Sequence, residues 1–177
     1  MLYDEIKRIV TSKVSADQKT YKEYEKRLEE GALTREENPA THFCAYFLPY
    51  NPATKEVFFV HHKKSGKWIS PGGHIEKGET LLTTLNREIG EELGVKNFFP
   101  ILPAPFLATI THIETDIRPC KIHYDIWFLM ETDGSNFKVD PAEFHQTKWL
   151  STEGAVNTST DAANRKALSV IEKLNLR

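Results

Sequence analysis

The sequence lacks the features that mark several large functional classes. Its 177 residues include only two cysteines, and no apolar stretch approaches the length of a membrane-spanning helix. Basic and acidic residues nearly balance, 23 against 25, so the formal net charge is −2 and there is no basic footprint for nucleic acid. We therefore expect a soluble protein that binds neither a membrane nor nucleic acid.

The cysteines and histidines also lack metal-binding spacing. Cys44 and Cys120 lie far apart, and the seven histidines form no His-x3-His pair. Two cysteines in a domain of this size indicate buried thiols more than a disulfide, so a reducing cytoplasm is the expected compartment. The start, MLYDEIKRIV, is acidic where a signal peptide is basic, and no export is expected. The sequence predicts no structural zinc site.

The pattern of elements predicts one domain with a helical extension. Residues 1–38 predict two helices, the second capped by Ser15, which pack on the main body or in a homodimer. Residues 39–177 predict strands around a central helix at 80–93, with another helix at the C-terminus. Long strands are predicted near 98–114 and 119–132, with a turn between them, and a further strand at 145–151. This order indicates an α+β or α/β/α sandwich with a mixed sheet.

Three glutamates in the central helix carry the strongest chemical signal. Glu88, Glu91 and Glu92 are spaced i, i+3 and i+4, which places their carboxylates on one helix face. Like charges at these spacings destabilise an isolated helix by about 0.2–0.5 kcal/mol per pair. A divalent cation that neutralises them explains the pattern, and Mg²⁺ or Mn²⁺ prefers such oxygen ligands.

The segment around these glutamates resembles a known family signature. Gly73, Glu79 and the run Arg87-Glu88-Ile89-Gly90-Glu91-Glu92-Leu93-Gly94-Val95 fill every fixed position of the Nudix box of MutT-like hydrolases, Gly-x5-Glu-x7-Arg-Glu-U-x-Glu-Glu-x-Gly-U, where U is aliphatic. Seven fixed identities would coincide by chance in about one window in a hundred million. The preceding WISPGGH resembles the family's usual entry into the box. The resemblance implies a Nudix fold, an α/β/α sandwich.

The resemblance also implies roles for individual residues. The metal ligands would be the Gly72 carbonyl and the side chains of Glu88, Glu91 and Glu92, with Mg²⁺ as cofactor and Mn²⁺ able to replace it. Arg87 would orient the catalytic glutamates, Glu91 and Glu92, with Glu79 as its partner. The implied reaction is hydrolysis of a phosphoanhydride bond in a nucleoside diphosphate linked to another moiety, such as a nucleotide, a nucleotide sugar or an ADP-ribose-like compound.

The proton acceptor is left open. It is either a box glutamate or one of Asp140, Glu143 and His145 in VDPAEFHQTKWLS, where many relatives carry a glutamate at the position of Lys148.

Further polar residues outside the glutamate set and two alternative functions have weaker support in the sequence. His74 is either a substrate contact or a packing residue. His112, His123 and Asp125 lie on strands after the box, and Asp125 either faces the cleft or, as the favoured expectation, has a hydrogen-bonded structural role. A non-catalytic nucleotide sensor would be expected to have lost box glutamates, and none is lost. An isopentenyl diphosphate isomerase would need a cysteine in the segment before the box, where this chain has KWISPGGH.

Overall fold

The computed structural model describes residues 1–114 and 119–174. Within these residues the elements are, in chain order, α1 (Leu2–Ile9), α2 (Gln18–Glu29), β1 (Thr41–Asn51), β2 (Glu56–His62), β3 (Lys67–Ile69), β4 (Gly72–His74), α3 (Leu81–Leu93), β5 (Pro105–His112), β6 (Ile122–Glu131), β7 (Phe144–Ser151), α4 (Thr152–Thr158) and α5 (Ala162–Lys173).

A mixed β-sheet forms the centre of the molecule. Its main strand order is β3-β2-β1-β6-β5, with β4 paired to β1 and β7 paired to β2. Strands β1 and β6 run parallel, so that His42 lies opposite His123 and Cys44 opposite Asp125. Strand β4 runs antiparallel to β1, with His74 opposite Cys44. The mixed sheet predicted from the sequence is confirmed.

Helices cover both faces of this sheet. Side chains alternate between the two faces along each strand, so each face presents apolar residues against which helices can pack. On one face, Phe43, Ala45 and Phe47 of β1 pack in a cluster with the apolar residues of α1, α2 and α3. On the other face, the apolar residues of the strands pack against α4 and α5. The result is the expected α/β/α sandwich, in which α3 lies beside β4.

The N-terminal helices are joined to the main core. Ile6 of α1 and Leu28 of α2 belong to the same buried cluster as the strands. The Tyr24 hydroxyl donates to the carbonyls of Thr109 and Asp125, at 2.9 and 2.6 Å. The buried Arg27 donates to the Thr41 carbonyl at the start of β1. These contacts fix the extension on the sheet.

Two local predictions are wrong. The cap of α2 is Asp17, whose carboxylate accepts from the Thr20 N–H at 2.7 Å, whereas the Ser15 hydroxyl donates to the Thr11 carbonyl. Residues 98–104 do not join the first long strand, which begins at Pro105. The prolines in this stretch lack the N–H that a sheet ladder needs. The predicted turn after this strand falls at 115–118, outside the described residues. No helix within the described part of the chain has the length and apolar character to cross a membrane.

Candidate functional site

Helix α3 is fixed so that its glutamates have a defined direction. The Thr80 hydroxyl accepts from the Thr83 N–H at 3.1 Å and caps the first turn. Gly94 ends the helix with φ of 70°, a left-handed conformation that favours glycine. An apolar stripe anchors the helix on the sheet, formed by the fully buried Leu81, Leu85, Ile89 and Leu93. The box glutamates lie off this stripe.

Arg87 joins three carboxylates and a strand. Its guanidinium holds Glu79 in a bidentate pair, with N–O distances of 2.7 and 3.0 Å. Nη1 donates to Glu88 at 2.8 Å and to Glu91 at 3.1 Å. Nη2 also donates to the His74 carbonyl at 2.9 Å. One arginine therefore positions two of the expected metal ligands relative to the end of β4.

Two glycines make room for the buried carboxylates. The Gly72 N–H donates to Glu92 Oε2 at 2.7 Å, and its φ of 133° is one that other residues rarely adopt. A Cβ on Gly73 would lie 2.7 Å from the Glu88 carboxyl carbon. The space beside Gly73 is thus filled by the Glu88 carboxylate. The structure brings together all four residues that the sequence nominated as metal ligands.

The electrostatics of these glutamates are strongly perturbed. Burial raises the pKa of Glu88 to about 7, although the Arg87 guanidinium opposes the shift. Burial also raises the pKa of Glu92 well above its ordinary value, with a further contribution from the Glu88 charge. The Glu91 side chain is 61% exposed, so it faces solvent at the edge of the site. Glu88 and Glu92 lie one helical turn apart, and a cation bound between them would favour the ionised form of both.

The donors at this site fit a hard divalent cation. Carboxylate oxygens and a backbone carbonyl are the ligands that Mg²⁺ and Mn²⁺ prefer. Arg87 supplies one positive charge among four carboxylates, those of Glu79, Glu88, Glu91 and Glu92. The close approach of Gly72 and Gly73 brings the backbone to the same place as the side chains.

The three candidate residues outside the box have different surroundings. The Asp140 N–H donates to the Glu92 carbonyl at 3.2 Å, which brings this segment to the end of α3. Glu143 pairs with Lys64 at 3.0 Å, and its charge contributes to the raised pKa of Glu92. His145 lies 5.1 Å from the His61 ring. Of the three, Glu143 is the residue whose charge contributes to the raised pKa of a box glutamate.

A second group of polar side chains was missed by the sequence analysis. His42, His74, Cys120 and His123, here called the histidine cluster, have ligand atoms within 4.8 Å of one another. Burial lowers the pKa of His74 to about 3 and that of His123 to about 4, so both imidazoles are neutral at pH 7. The cluster depends on the pairing of β1 with β6 and β4, which residue spacing alone does not reveal. The sequence predicts no structural zinc site, and that prediction is not tested by the geometry, which shows only that four possible ligands lie close together.

Comparison with known proteins points to one family. The family model of the NUDIX domain matches residues 40–171. Nudix hydrolase 6 of Arabidopsis thaliana is 31% identical over 114 residues, which cover 60% of this chain and 38% of that protein. Nucleoside triphosphatase NudI of Escherichia coli is 34% identical over 106 residues, or 58% of this chain and 74% of that protein. The match thus spans well under two thirds of the Arabidopsis relative.

Solved structures show the same fold. The E. coli dihydroneopterin triphosphate pyrophosphohydrolase aligns with a TM-score of 0.59 at 19% identity, covering 72% of this chain and 92% of that one. A C. elegans Ap4A hydrolase aligns with a TM-score of 0.53 at 18% identity, covering 74% and 94%. The sandwich of a mixed sheet and helices is common to all three chains.

Proposed function

The chain belongs to the NUDIX family, and we propose that it is a Mg²⁺-dependent hydrolase that cleaves a phosphoanhydride bond in a nucleotide-type substrate. One observation carries the proposal: the buried carboxylates of Glu88 and Glu92 lie against the backbone of Gly73 and Gly72. Buried carboxylates without a compensating cation would be costly to the fold. As a binding site, the same arrangement offers several hard oxygen ligands at one point.

Each residue has a proposed task. The Gly72 carbonyl and the carboxylates of Glu88, Glu91 and Glu92 would hold Mg²⁺, with Mn²⁺ able to replace it. The bound ion would offset phosphate charge and lower the pKa of a water molecule. Arg87 orients Glu88 and Glu91 through charge-assisted hydrogen bonds and is itself held by Glu79.

Glu91 and Glu143 are the proposed candidates for the proton acceptor. Glu91 is the most exposed of the box glutamates, while Glu92 is already engaged by the Gly72 N–H. Glu143 is 33% exposed and close enough to affect Glu92. A general base must be deprotonated to act, so the acidic limb of the pH–rate profile should depend on its pKa. If Glu143 is the base, Glu143→Gln should remove activity with little change in metal affinity, whereas Glu91→Gln would also weaken the proposed Mg²⁺ site.

The proposed substrate is a nucleoside triphosphate, a dinucleotide or a nucleoside diphosphate linked to another group. Support comes from the relatives, which include proteins named as a nucleoside triphosphatase, a dihydroneopterin triphosphate pyrophosphohydrolase and an Ap4A hydrolase. Residues 1–38 are proposed to be an integral extension of the hydrolase domain at 39–177, since Tyr24 and Arg27 bond directly to the strands.

The test is a substrate panel with product identification. Nucleoside triphosphates, dinucleoside polyphosphates and nucleotide sugars are incubated with Mg²⁺ or Mn²⁺, and the products are identified by mass spectrometry. E92Q should lose at least about 100-fold in kcat/KM, because several kcal/mol of transition-state stabilisation depend on the ion that Glu92 helps to hold. Its melting temperature should stay the same or rise, since a buried charge is removed.

The matched control is E172Q, which neutralises an exposed glutamate on α5 and should retain full activity. Full activity of E92Q would contradict the metal assignment. Binding of nucleotides by the wild-type protein without hydrolysis of any panel member would instead favour a non-catalytic sensor.

A further inference from the structure

We propose that the histidine cluster is a second metal centre, a zinc site formed by His42, His74, Cys120 and His123. Three imidazoles and one thiol converge on a common point, and all four ligand atoms lie within 4.8 Å of one another. These residues are separate from the box carboxylates. The zinc site therefore does not depend on the proposed hydrolase function.

The distances are close to those of a tetrahedral zinc site. Zn–N bonds of about 2.0–2.1 Å and a Zn–S bond of about 2.3 Å imply N···N edges of about 3.3 Å and N···S edges of about 3.6 Å. The His74 and His123 Nε2 atoms are 3.4 Å apart. Cys120 Sγ lies 3.9 Å from His42 Nε2 and 4.0 Å from His74 Nε2. For these three pairs, movements of a few tenths of an ångström would bring the donors to bonding distances, and the remaining pairs lie within 4.8 Å of one another.

The backbone already holds these side chains in place. His42 and His123 are register partners in the parallel β1–β6 pair, so their side chains lie side by side on one face. His74 joins them from β4, and Cys120 precedes β6. The ring centroids of the three histidines are 4.8–5.0 Å apart. The site is thus assembled from three strands and requires no rearrangement of the sheet.

A backbone carbonyl orients the His42 ring for metal binding, whereas the arginine beside His74 favours the opposite tautomer. His42 Nδ1 lies 3.0 Å from the Asn38 carbonyl, so Nδ1 carries the proton and Nε2 presents its lone pair toward Cys120. Such a carbonyl partner is typical of zinc-binding histidines. Arg35 approaches His74 Nδ1 at 3.4 Å. Because Arg35 is 45% exposed and also pairs with Glu36, it can withdraw when His74 binds metal through Nε2.

The donor set and burial favour zinc in a structural role. Imidazole and thiolate ligands suit Zn²⁺, whereas Mg²⁺ prefers oxygen. His42 is fully buried and Cys120 and His123 nearly so, which leaves little room for a substrate or an exchangeable water. Four protein ligands complete the coordination shell of a structural site. Zinc here would tie together the starts of β1 and β6 and the end of β4.

A second set of possible metal ligands competes with the histidine cluster for His123. Cys44, His123 and Asp125 also lie within 4.8 Å of one another and share His123 with the cluster. That set has one ligand fewer than the four that complete a structural zinc site. The four-membered set is therefore favoured, and the two cysteines distinguish the alternatives.

The experiment measures metal binding directly on the 177-residue chain. The protein is stripped with a chelator, supplied with excess Mg²⁺ to fill the carboxylate site, and then given Zn²⁺ or Co²⁺. We expect one zinc per chain to be retained through gel filtration and the melting temperature to rise with Zn²⁺. The Co²⁺ form should show tetrahedral d–d absorption and a thiolate-to-cobalt charge-transfer band. Absence of retained zinc, or of the thiolate band, would overturn the proposal.

Variants then identify the ligands. C120S should abolish the thiolate band. It should also lower zinc affinity by more than about 100-fold, because loss of a direct ligand should cost more than loss of an outer-shell partner, which costs up to about 100-fold. Two control variants should leave the thiolate band and the zinc affinity unchanged. C44S replaces the other buried thiol, and H112N replaces an exposed histidine. If C44S removes the band and C120S keeps it, the alternative three-residue group is the site and the proposal is wrong. E92Q should keep the band, which separates this result from the fate of the hydrolase proposal.

Discussion

Replacing Gly73 by alanine tests whether the space beside this glycine is needed for catalysis. The added Cβ would lie 2.7 Å from Cδ of Glu88, well inside van der Waals contact. Gly73 has an ordinary negative-φ or extended backbone, since it is not among the positive-φ glycines. Alanine therefore causes no backbone strain, and the clash must be relieved by moving the Glu88 carboxylate.

The size of the effect follows from how that carboxylate is held. Arg87 binds it at 2.8 Å, and Glu88 is otherwise enclosed by protein with only 8% exposure. Relieving the clash needs a shift of the order of 1 Å, and a misplacement of that size costs about 100-fold in rate. This corresponds to about 2.7 kcal/mol of lost transition-state stabilisation. Stability should change by less than about 1 kcal/mol, because a flexible side chain can rotate away.

The assay compares activity with stability in two glycine variants. For G73A, kcat/KM is measured across a Mg²⁺ titration, and the free energy of unfolding is measured with urea. The control is G90A in the last turn of α3, where the nearest atom to an added Cβ is 3.7 Å away. G90A should gain about 0.5–1 kcal/mol from helix propensity with unchanged activity. Wild-type activity in G73A, or a loss of activity that only mirrors unfolding, would refute the reasoning.

Three further substitutions test the contacts that hold the site and the extension. R87K keeps the charge but loses the bidentate fork that grips Glu79, so kcat/KM at saturating Mg²⁺ should fall by about 100-fold. Burial disfavours the ionised form of Glu79, yet its hydrogen bonds with Arg87, the Glu76 N–H and Thr84 outweigh this and hold its pKa below the ordinary 4.5. The resulting stability is present above about pH 4.5 and is lost as pH falls through the lower folded-state pKa, so thermal melts of E79Q should depend less on acid than those of the wild type. R27M removes hydrogen bonds to the backbone carbonyls of Gly31, Ala32 and Thr41, and urea unfolding should show a loss of about 1.5–3 kcal/mol; a loss below about 0.5 kcal/mol would show that this arginine does not fix the extension.

Local sequence rules were sufficient to predict the limits of α3, the helix that carries Glu88, Glu91 and Glu92. Threonine and glycine have strong capping preferences at opposite helix ends. Thr80 caps the N-terminus of α3 and Gly94 caps its C-terminus. The rules failed where two residues compete for one role. Ser15 and Asp17 are both good N-caps, and the choice of Asp17 follows from Ser15 being drawn into a bridge with Ala108, a long-range contact.

The charges of the box were predictable only in part. The spacing of Glu88, Glu91 and Glu92 indicates one helix face but does not show which side chains are buried. Burial of Glu88 and Glu92 depends on the approach of β4, and Arg87 reaches across the helix to Glu79 in the preceding loop. Both are tertiary contacts, so the raised pKa values of Glu88 and Glu92 follow from the assembled fold.

The histidine cluster shows why spacing is a weak guide to metal sites in sheets. Its members are separated by 32, 46 and 3 positions along the chain, from His42 to His74, Cys120 and His123. A search for short His or Cys repeats detects ligands from one turn or one helix. Here the parallel register of β1 and β6 and the antiparallel register of β4 determine which residues meet.

Strand β4 connects the two proposed metal sites through adjacent residues. Because side chains alternate along a strand, Gly73 faces the Glu88 carboxylate while the neighbouring His74 side chain points to the opposite face, into the histidine cluster. The His74 carbonyl also accepts a hydrogen bond from Arg87, which orients the box glutamates. Fixing the His74 ring on one face of the sheet therefore restricts the backbone that positions Arg87 on the other. Zinc in the cluster would in this way rigidify the magnesium site without contacting it.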